Sequence, residues 1–418
     1  MQEVGTALQP VRPMLWGRSW RDMVVMMAAN NWDGVRFQDR QLAESLAKYV
    51  PVLYVDPPMS RLSTRRRPEL AESLREPRLR MVAPGLARLT PVVAPAMERR
   101  GMASLTRLLM AAAVRRAVKA LRGSVHALIE TSSLVPVLGR CGEEVRVYWA
   151  QDDFVGGAEL LGLSAARIAR GEQHNVDRAD VVVAANPSVA ESLRKAGHDP
   201  VLIPYGCDTT LFSTTQTVTP ADDVRLPAPM AGFMGHLADR IDLALIEAVA
   251  ARGVSMLLVG PRHPRYALDR MAALLKRSNV QWVGSREFES LPTYLRHVNV
   301  GLVPYTSSAF NVGSFPLKTL EYLASGLPVV ATDLPAIRWL DCPDITIARS
   351  PDRFAEEVER ALDMPLTQTA IDGRRGFAAR HSWDHRARAF LQALQLPLSG
   401  VDPEAKTSVG QQFVCRGA

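Results

Sequence analysis

Short apolar runs alternate with helical stretches through the second half of the chain, and this alternation limits the fold more than any other feature. Six runs are continuous enough to be buried parallel strands: Met230–Met234, Ser255–Val259, Val280–Val283, Val300–Pro304, Val329–Ala331 and Ile345–Ile347. Glycines follow three of them, at Gly235, Gly260 and Gly284. The pattern predicts an α/β domain over residues 229–382, with a doubly wound parallel sheet and helices on its faces.

The first half of the chain predicts a second unit of the same class. A chain of 418 residues is too long for one core, so two domains are expected. Apolar runs such as Met23–Ala28 and Val145–Trp149 predict a parallel sheet within residues 21–212. Residues 213–228 are rich in Thr, Asp and Pro and predict a linker. Helix 383–396 follows the second domain, and residues 1–20 and 397–418 are predicted to be irregular and disordered, respectively.

The segment Ser314–Thr332 carries the clearest chemical signal. Its leucines recur at helical spacing, while Lys318 and Glu321 project together from another face. Ser314 can cap this helix, whose N-terminus, together with Lys318, suits a diphosphate. Glu321 suits the two neighbouring hydroxyls of a ribose. The alternative is an ordinary amphipathic helix with a solvated lysine and glutamate.

The run P-L-K-x-x-E-Y-L-A-x-G-x-P-V-V at 316–330 resembles the donor-site signature of GT-B glycosyltransferases. The resemblance is to the group 1, family 4-like enzymes, which include bacterial polysaccharide and teichuronic-acid-type transferases. In that group the residue matching Glu321 holds the donor ribose, and the basic residue matching Lys318 faces the diphosphate. Many relatives carry a second glutamate eight residues earlier, where this chain has Gly313. The segment Pro204–Phe212 resembles the one that closes the first domain, with Tyr205 in place of the usual asparagine.

The resemblance implies two Rossmann-like doubly wound domains facing across a cleft, with helix 383–396 crossing back to the first domain. The second domain would hold a nucleoside-diphosphate sugar and the first an acceptor. The implied reaction is transfer of the sugar to a hydroxyl of a glycan or lipid-linked acceptor, in cell-envelope or exopolysaccharide synthesis. Two alternatives are a nucleotide-sugar epimerase on the same fold and a catalytically silent protein that binds lipid or a partner.

Two loops of the second domain supply further donor-site candidates. The turn after the first strand is a short Gly-x-x-Gly phosphate loop, with Gly235 and Arg240 as candidate diphosphate contacts. The loop 304–313 precedes the helix and is expected to line the sugar pocket. Its candidate sugar or loop residues are Ser307, Ser308, Asn311, Gly313 and Ser314.

The first domain offers candidates at the carboxyl ends of two predicted strands, where open α/β sheets bind ligands. Trp32, Asp33 and Arg36 follow the first strand and are candidate acceptor contacts; a structural turn is equally compatible with them. Asp152 and Asp153 follow a later strand. Either carboxylate could deprotonate an acceptor hydroxyl, or it could cap the next helix.

Positive charge is concentrated between Arg61 and Arg122, which hold 15 basic and four acidic residues, a net +11 in a chain of net +7. This region includes Arg65–Arg67 and a predicted basic amphipathic helix over Met97–Leu121. Such a helix predicts contact with an anionic membrane surface; a domain helix with a solvated basic face is the alternative. Nucleic acid is not predicted as a partner, because no aromatic stacking platform accompanies the charge.

Four cysteines, at 141, 207, 342 and 415, show no metal-binding or disulfide spacing. We therefore expect no metal and no cofactor, with the nucleotide sugar as co-substrate. No run approaches the roughly 20 apolar residues that cross a bilayer, and the N-terminus lacks the apolar region of a signal peptide. These features predict a cytoplasmic protein, peripheral at the inner face of the plasma membrane if it binds membrane at all.

Overall fold

The computed structural model describes residues 20–60, 71–94, 101–159 and 162–398. The predictions for the N-terminus, for Arg65–Arg67 and for the C-terminal tail fall outside these ranges, apart from their edge residues.

The first domain is built on an eight-stranded sheet. Its strands are β1 Met23–Met27, β2 Val52–Val55, β3 Leu79–Ala83, β4 Leu86–Leu89, β5 Val125–Glu130, β6 Val145–Ala150, β7 Val181–Ala184 and β8 Val201–Leu202. They lie in the order β3-β4-β2-β1-β5-β6-β7-β8, and every pair is parallel except β3 with β4. The connecting helices are α1 Gln38–Leu46, α2 Ala71–Arg75, α3 Met102–Ala120, α4 Ala165–Val176 and α5 Pro187–Lys195, and α6 Thr209–Phe212 follows β8.

The hairpin of β3 and β4 was not expected from the sequence, because Arg88 interrupts its apolar pattern. Arg88 is fully buried, and its Nε lies 2.7 Å from Oδ2 of Asp56, which is buried as well. A buried charge is tolerated when it is paired and hydrogen-bonded. The ion pair therefore lets a charged residue occupy an interior strand.

The second domain has the six-stranded parallel sheet that the sequence predicts. Its strands are β9 Met230–Met234, β10 Ser255–Val259, β11 Val280–Trp282, β12 Val300–Val303, β13 Val329–Thr332 and β14 Ile345–Ala348. The helices are α7 Leu243–Ala251, α8 Leu268–Leu275, α9 Leu291–Leu295, α10 Ala309–Val312, α11 Lys318–Ala324, α12 Pro335–Leu340, α13 Pro351–Asp363 and α14 Gln368–Ala379. The order β11-β10-β9-β12-β13-β14 reverses direction beside β9, so the carboxyl end of β9 is where such sheets bind ligands.

The last helix, α15 Trp383–Ala393, lies against the first domain. The hydroxyl of Tyr49 donates to Oδ1 of Asp384 at 2.8 Å, and the backbone oxygen of Leu394 lies 2.9 Å from Nε2 of His126. One apolar core contains Trp149 of β6, Phe315 of the second domain and Phe390 of α15. The domains are therefore joined by a shared interior along one side.

Candidate functional site

Helix α11 lies under the ligand-binding edge of the second sheet. The backbone N–H of Met234, at the end of β9, donates to the hydroxyl of Tyr322 at 2.7 Å. Nζ of Lys318 lies 2.8 Å from Oε2 of Glu321, so the two residues predicted to bind nucleotide form an ion pair. Lys318 retains partial exposure, whereas Glu321 is only 1% exposed.

The burial of Glu321 contradicts the alternative of an ordinary amphipathic helix with a solvated glutamate. Residues 319–324 are buried on every side, because α6 and α14 pack on α11. Thr215, just after α6, donates to the hydroxyl of Ser325 at 3.0 Å. Burial, with the Glu321 carboxylate nearby, raises the pKa of the Cys207 thiol well above its ordinary value. Glu321 therefore faces the segment that closes the first domain.

Ser314 does not cap this helix as predicted. The residue before α11 is Leu317, which has no side-chain capping bond. The Ser314 hydroxyl instead donates to Oδ1 of Asp152 in the first domain at 2.8 Å. Ser314 thus links the two domains at the point where the candidate base lies.

The glycine turn after β9 lies at the reversal of strand order. The N–H of Gly235 donates to the carbonyl of Val259 at 2.9 Å, and the turn packs tightly on the next one. A Cβ on Gly260 would lie 2.1 Å from the carbonyl oxygen of Gly235. Gly260 also has φ of +131°, which favours glycine. The close approach of the two turns fixes the backbone expected to meet a diphosphate.

Arg240 follows this turn and is held against the loop before α11. Its guanidinium lies 4.6 Å from the ring centre of Phe310 and 5.4 Å from that of Tyr305. Its Nε donates to Oδ1 of Asn311 at 2.8 Å. Burial raises the pKa of Asp152, the candidate base, and the positive charge of Arg240 opposes that rise.

Three of the predicted sugar contacts have other roles. Asn311 is fully buried, and its amide donates to the backbone oxygens of Arg240 and Thr306, each at 2.9 Å, so it fixes the loop. Ser308 caps α10. Ser307 lines a cavity of about 330 Å³ beside Asp333 and Arg349, at the ends of β13 and β14. The amide of Asn311 is therefore engaged within the protein, and contact of Asn311, Ser307 and Ser308 with a sugar stays a prediction.

Asp152 is a half-buried carboxylate at the boundary between the domains. Its Oδ2 accepts a hydrogen bond from the Tyr205 hydroxyl at 3.2 Å, and its Oδ1 accepts the bond from Ser314. Burial raises the pKa of Asp152 to about 6, although these hydrogen bonds and the charge of Arg240 oppose the shift. A carboxylate with this pKa is mostly ionised at neutral pH and can still take up a proton.

Asp153 has a structural role that its neighbour lacks. Its Oδ1 accepts the N–H of Gly156 at 2.7 Å, which closes the loop after β6. Its backbone N–H donates to the carbonyl of Gly313 in the second domain at 3.1 Å. The two adjacent carboxylates therefore separate into a candidate base, Asp152, and a loop-closing residue, Asp153.

The predicted acceptor contacts after β1 are committed to internal interactions. Trp32 is 8% exposed and packs edge-on against Tyr54 at 5.1 Å. Asp33 pairs with Nη1 of Arg88 at 2.7 Å; although partial burial opposes it, the bonds and charge of Arg88 hold the pKa of Asp33 below its ordinary value. Both residues are therefore engaged within the first domain, and their contact with acceptor stays a prediction.

Arg36 is also engaged, and it reaches the second domain. Its Nη2 lies 2.5 Å from Glu44, and its Nη1 lies 3.3 Å from Asp208 and 3.8 Å from Glu289. The guanidinium stands 5.0 Å from the ring centre of Phe288. Arg36 therefore connects the two domains, and its contact with acceptor stays a prediction.

Four polar residues of the site were not predicted as functional from the sequence, although one of them could have been. Asp39 is fully buried and accepts from the N–H of Ala29 at 2.8 Å and from Gln151 at 3.1 Å. Asn186 donates to the carbonyl of Gly313 at 2.8 Å. Tyr205 departs from the family pattern, and that departure could have identified it. Buried Asp39, Gln151 and Asn186 are recognisable only when their partners are known.

Among the residues that the structure describes, no group of three or more His, Cys, Asp or Glu side chains could hold a metal ion. Within the same part of the chain, every helix is too short or too polar to span a bilayer.

The sequence model of the family "Glycosyl transferases group 1" matches residues 228–364, which is the second domain. TuaH of Bacillus subtilis, described as a teichuronic acid biosynthesis glycosyltransferase, is 26% identical to this chain over 235 residues, 54% of its length. That match spans 59% of the relative's length.

Two solved structures resemble the whole fold. Sucrose-phosphate synthase of Thermosynechococcus elongatus has a TM-score of 0.68 at 18% identity, covering 90% of this chain and 98% of that one. HepE of Anabaena, solved with UDP and glucose, has a TM-score of 0.60 at 14% identity, covering 90% and 99%. The predicted fold class is thereby confirmed: the chain has the GT-B fold, and its second domain matches the model of the group 1 glycosyltransferases.

Proposed function

We propose that the protein transfers a sugar from a nucleoside-diphosphate sugar to a hydroxyl of a glycan or lipid-linked acceptor. The bond between the anomeric carbon and the diphosphate oxygen breaks, and a bond to the acceptor oxygen forms. The acceptor proton passes to Asp152, and the nucleoside diphosphate leaves. The assignment of TuaH to teichuronic acid biosynthesis supports an acceptor of the cell envelope.

The environment of Asp152 is the observation that carries the proposal. The carboxylate is held by Tyr205 of the first domain and Ser314 of the second, with Arg240 nearby. A base at this position faces both the acceptor side and the donor side of the cleft. General base catalysis needs this reach and a pKa near the working pH, and a pKa of about 6 satisfies the second condition.

The donor is held by the second domain in this proposal. Arg240 and Lys318 neutralise the leaving diphosphate, which is the role that preorganised charge plays in such reactions. Glu321 accepts the ribose hydroxyls once Lys318 turns from it to the diphosphate. UDP-linked sugars are the first donors to test, since HepE was solved with UDP and glucose.

The test compares Asp152→Asn with wild type in an assay of nucleoside diphosphate release that depends on acceptor. Loss of a general base is expected to lower kcat by about 10²- to 10⁴-fold. Asp153→Asn keeps an oxygen for the Gly156 bond and is expected to lose less than about tenfold, since a neutral hydrogen bond contributes about 1 kcal/mol. Asp177→Asn, on the exposed end of α4, is the surface control.

Three outcomes would contradict the proposal. Donor conversion without acceptor would indicate an epimerase. Binding of lipid without any nucleotide would indicate a silent GT-B protein. Equal rates in wild type and Asp152→Asn would remove Asp152 as the base.

We also propose that α3 brings the acceptor side to an anionic membrane. Its outer face presents Leu105 and Leu108, which are 42% and 54% exposed. About two to three turns beyond Leu108, the same face carries the exposed Arg115, Arg116 and Lys119. Among the described residues, none of these three cations pairs with a carboxylate. An apolar end beside unpaired cations suits a helix lying in the interface of an anionic bilayer.

Sedimentation with vesicles of phosphatidylglycerol and phosphatidylcholine tests this surface. Leu105→Ser/Leu108→Ser and Arg115→Glu/Arg116→Glu are each expected to weaken binding to the anionic vesicles, the second more strongly at low salt. Lys195→Glu, on an exposed part of α5, is the matched charge control. Unchanged binding by both double variants would exclude α3 from the contact.

A further inference from the structure

The two domains touch where Gly157 and Gly313 lie, and at each position a glycine of one domain faces a side chain of the other. Gly157 of the first domain faces Phe310 of the second, and a Cβ on Gly157 would lie 2.2 Å from Cδ2 of that ring. Gly313 of the second domain faces Asp153 of the first, and a Cβ there would lie 2.4 Å from Cβ of Asp153. Real Cβ contacts are essentially never shorter than 3.0 Å, so any other residue at either position requires movement.

The groups opposite these glycines cannot move aside easily. Phe310 is 7% exposed and is packed under the Arg240 guanidinium. The atom opposite Gly313 is a Cβ, whose position is fixed by the backbone. That backbone is tied down by the bond from the Asp153 N–H to the Gly313 carbonyl, which also accepts from Asn186 at 2.8 Å. A larger residue at 157 or 313 would therefore separate the domains before it shifted a side chain.

Both contacts are adjacent to the groups that the reaction uses. Ser314 follows Gly313 and donates to Asp152. Arg240 is stacked on Phe310, the ring that lies on Gly157. One contact therefore sets the position of Asp152, and the other sets the position of Arg240.

We propose that Gly157 and Gly313 are positioning residues, which set the distance between the base of the first domain and the donor loop of the second. This inference rests on the proposed function for its catalytic consequence, but the domain separation can be measured without it. Nucleotide binding depends on the second domain alone, so it is expected to survive substitution of either glycine. Transfer depends on the closed geometry and is expected to fail.

The test uses Gly157→Ala and Gly313→Ala, with Gly373→Ala as control. Neither Gly157 nor Gly313 has a positive φ, so alanine adds no backbone strain there. A Cβ on Gly373 would meet nothing within 4 Å. Each of the first two variants is expected to lower kcat by about 10²-fold, the effect of a misplacement near 1 Å, with the KM for donor within about twofold of wild type.

Domain separation is read independently by spin labels on Lys195→Cys and Arg349→Cys in a Cys415→Ser background. The label distance is expected to change in both glycine variants and to stay at the wild-type value in Gly373→Ala. Combining Gly157→Ala with Phe310→Ala removes the clash, so the pair is expected to lose no more activity than Phe310→Ala alone.

Unchanged label distances in both glycine variants, or wild-type kcat in both, would overturn the inference. If wild type is inactive with every nucleotide sugar while the distances change as expected, the proposed function fails and the positioning contacts stand.

Discussion

The carboxyl edges of the two sheets use their polar residues differently. At the second sheet, two glycine turns, Arg240 and Lys318 lie beside the reversal of strand order. At the first sheet, Arg88 forms ion pairs with both Asp33 and Asp56. Charge at the first edge is therefore used within the domain, whereas the second edge is where we propose that the donor binds, once Lys318 leaves its pair with Glu321. Asp152 differs from that pattern because it reaches the boundary between the domains.

The largest expected effect tests the structural role of the first edge. Arg88→Met leaves the buried Asp56 without its partner, which is expected to lower the free energy of unfolding by about 3–5 kcal/mol. The measurement is urea denaturation. Arg146→Met, which removes a pair with the exposed Asp180, is the control and is expected to cost at most about 1 kcal/mol. If Arg88→Met leaves the free energy of unfolding unchanged, the stability of the first domain does not depend on these charges.

The next effect tests the ligand-binding role of the second edge. Glu321→Ala is expected to weaken nucleotide binding by about 10- to 100-fold, because hydrogen bonds to a charged group contribute about 1.5–3 kcal/mol. A thermal-shift panel of UDP-, GDP- and ADP-linked sugars measures the change, with Glu359→Ala on α13 as control. Equal ligand-induced shifts in wild type and Glu321→Ala would remove Glu321 from the donor site.

A smaller effect concerns the pH dependence of Asp152. The base must be ionised, and burial raises its pKa to about 6, so activity is lost as the pH falls through 6. Below that value kcat/KM is expected to fall about tenfold per pH unit. Tyr205→Phe removes a hydrogen bond that lowers this pKa, so the acid limb is expected to move to higher pH. Tyr49→Phe is the control; an acid limb that stays in place in Tyr205→Phe would contradict the role of Tyr205.

The smallest expected effect is that of metal chelation. In the proposed reaction Arg240 and Lys318 supply positive charge for the leaving diphosphate, so EDTA is expected to leave the rate unchanged. The measurement is nucleoside diphosphate release with EDTA and then with added Mg²⁺ or Mn²⁺. If EDTA abolishes the reaction and Mg²⁺ or Mn²⁺ restores it, the two cationic side chains do not suffice and a metal ion is required.

The second domain was more predictable from the sequence than the first. β9 and β10 have the predicted bounds, because continuous apolar runs between glycines are a strong signal for buried strands. The hairpin of β3 and β4 was missed because Arg88 reads as a surface residue until Asp56 is known to face it. The spacing of apolar residues indicates local secondary structure, whereas a buried ion pair depends on residues far apart in the chain.

The candidate site was predictable in its location but not in its contacts. Asp152 lies after the end of β6 and at the boundary between the domains. Its position after an apolar run indicated the strand end, but the sequence did not indicate the boundary. The burial of Glu321 was not predictable, because α6 and α14, which cover it, come from before and after it in the sequence. Asn311 has the composition of a sugar contact, but the backbone carbonyls of its own loop and of Arg240 take its amide.

The return of α15 to the first domain has a consequence for biosynthesis. Trp149 on β6 packs edge-on against Phe390 at 5.2 Å, so part of the interior of the first half is supplied by almost the last helix made. A growing chain therefore lacks this contact with Trp149 while the second half is translated. We expect the first 212 residues, expressed alone, to form an incompletely packed domain that aggregates. Chaperone binding to the nascent chain is expected to matter most before residue 390 leaves the ribosome.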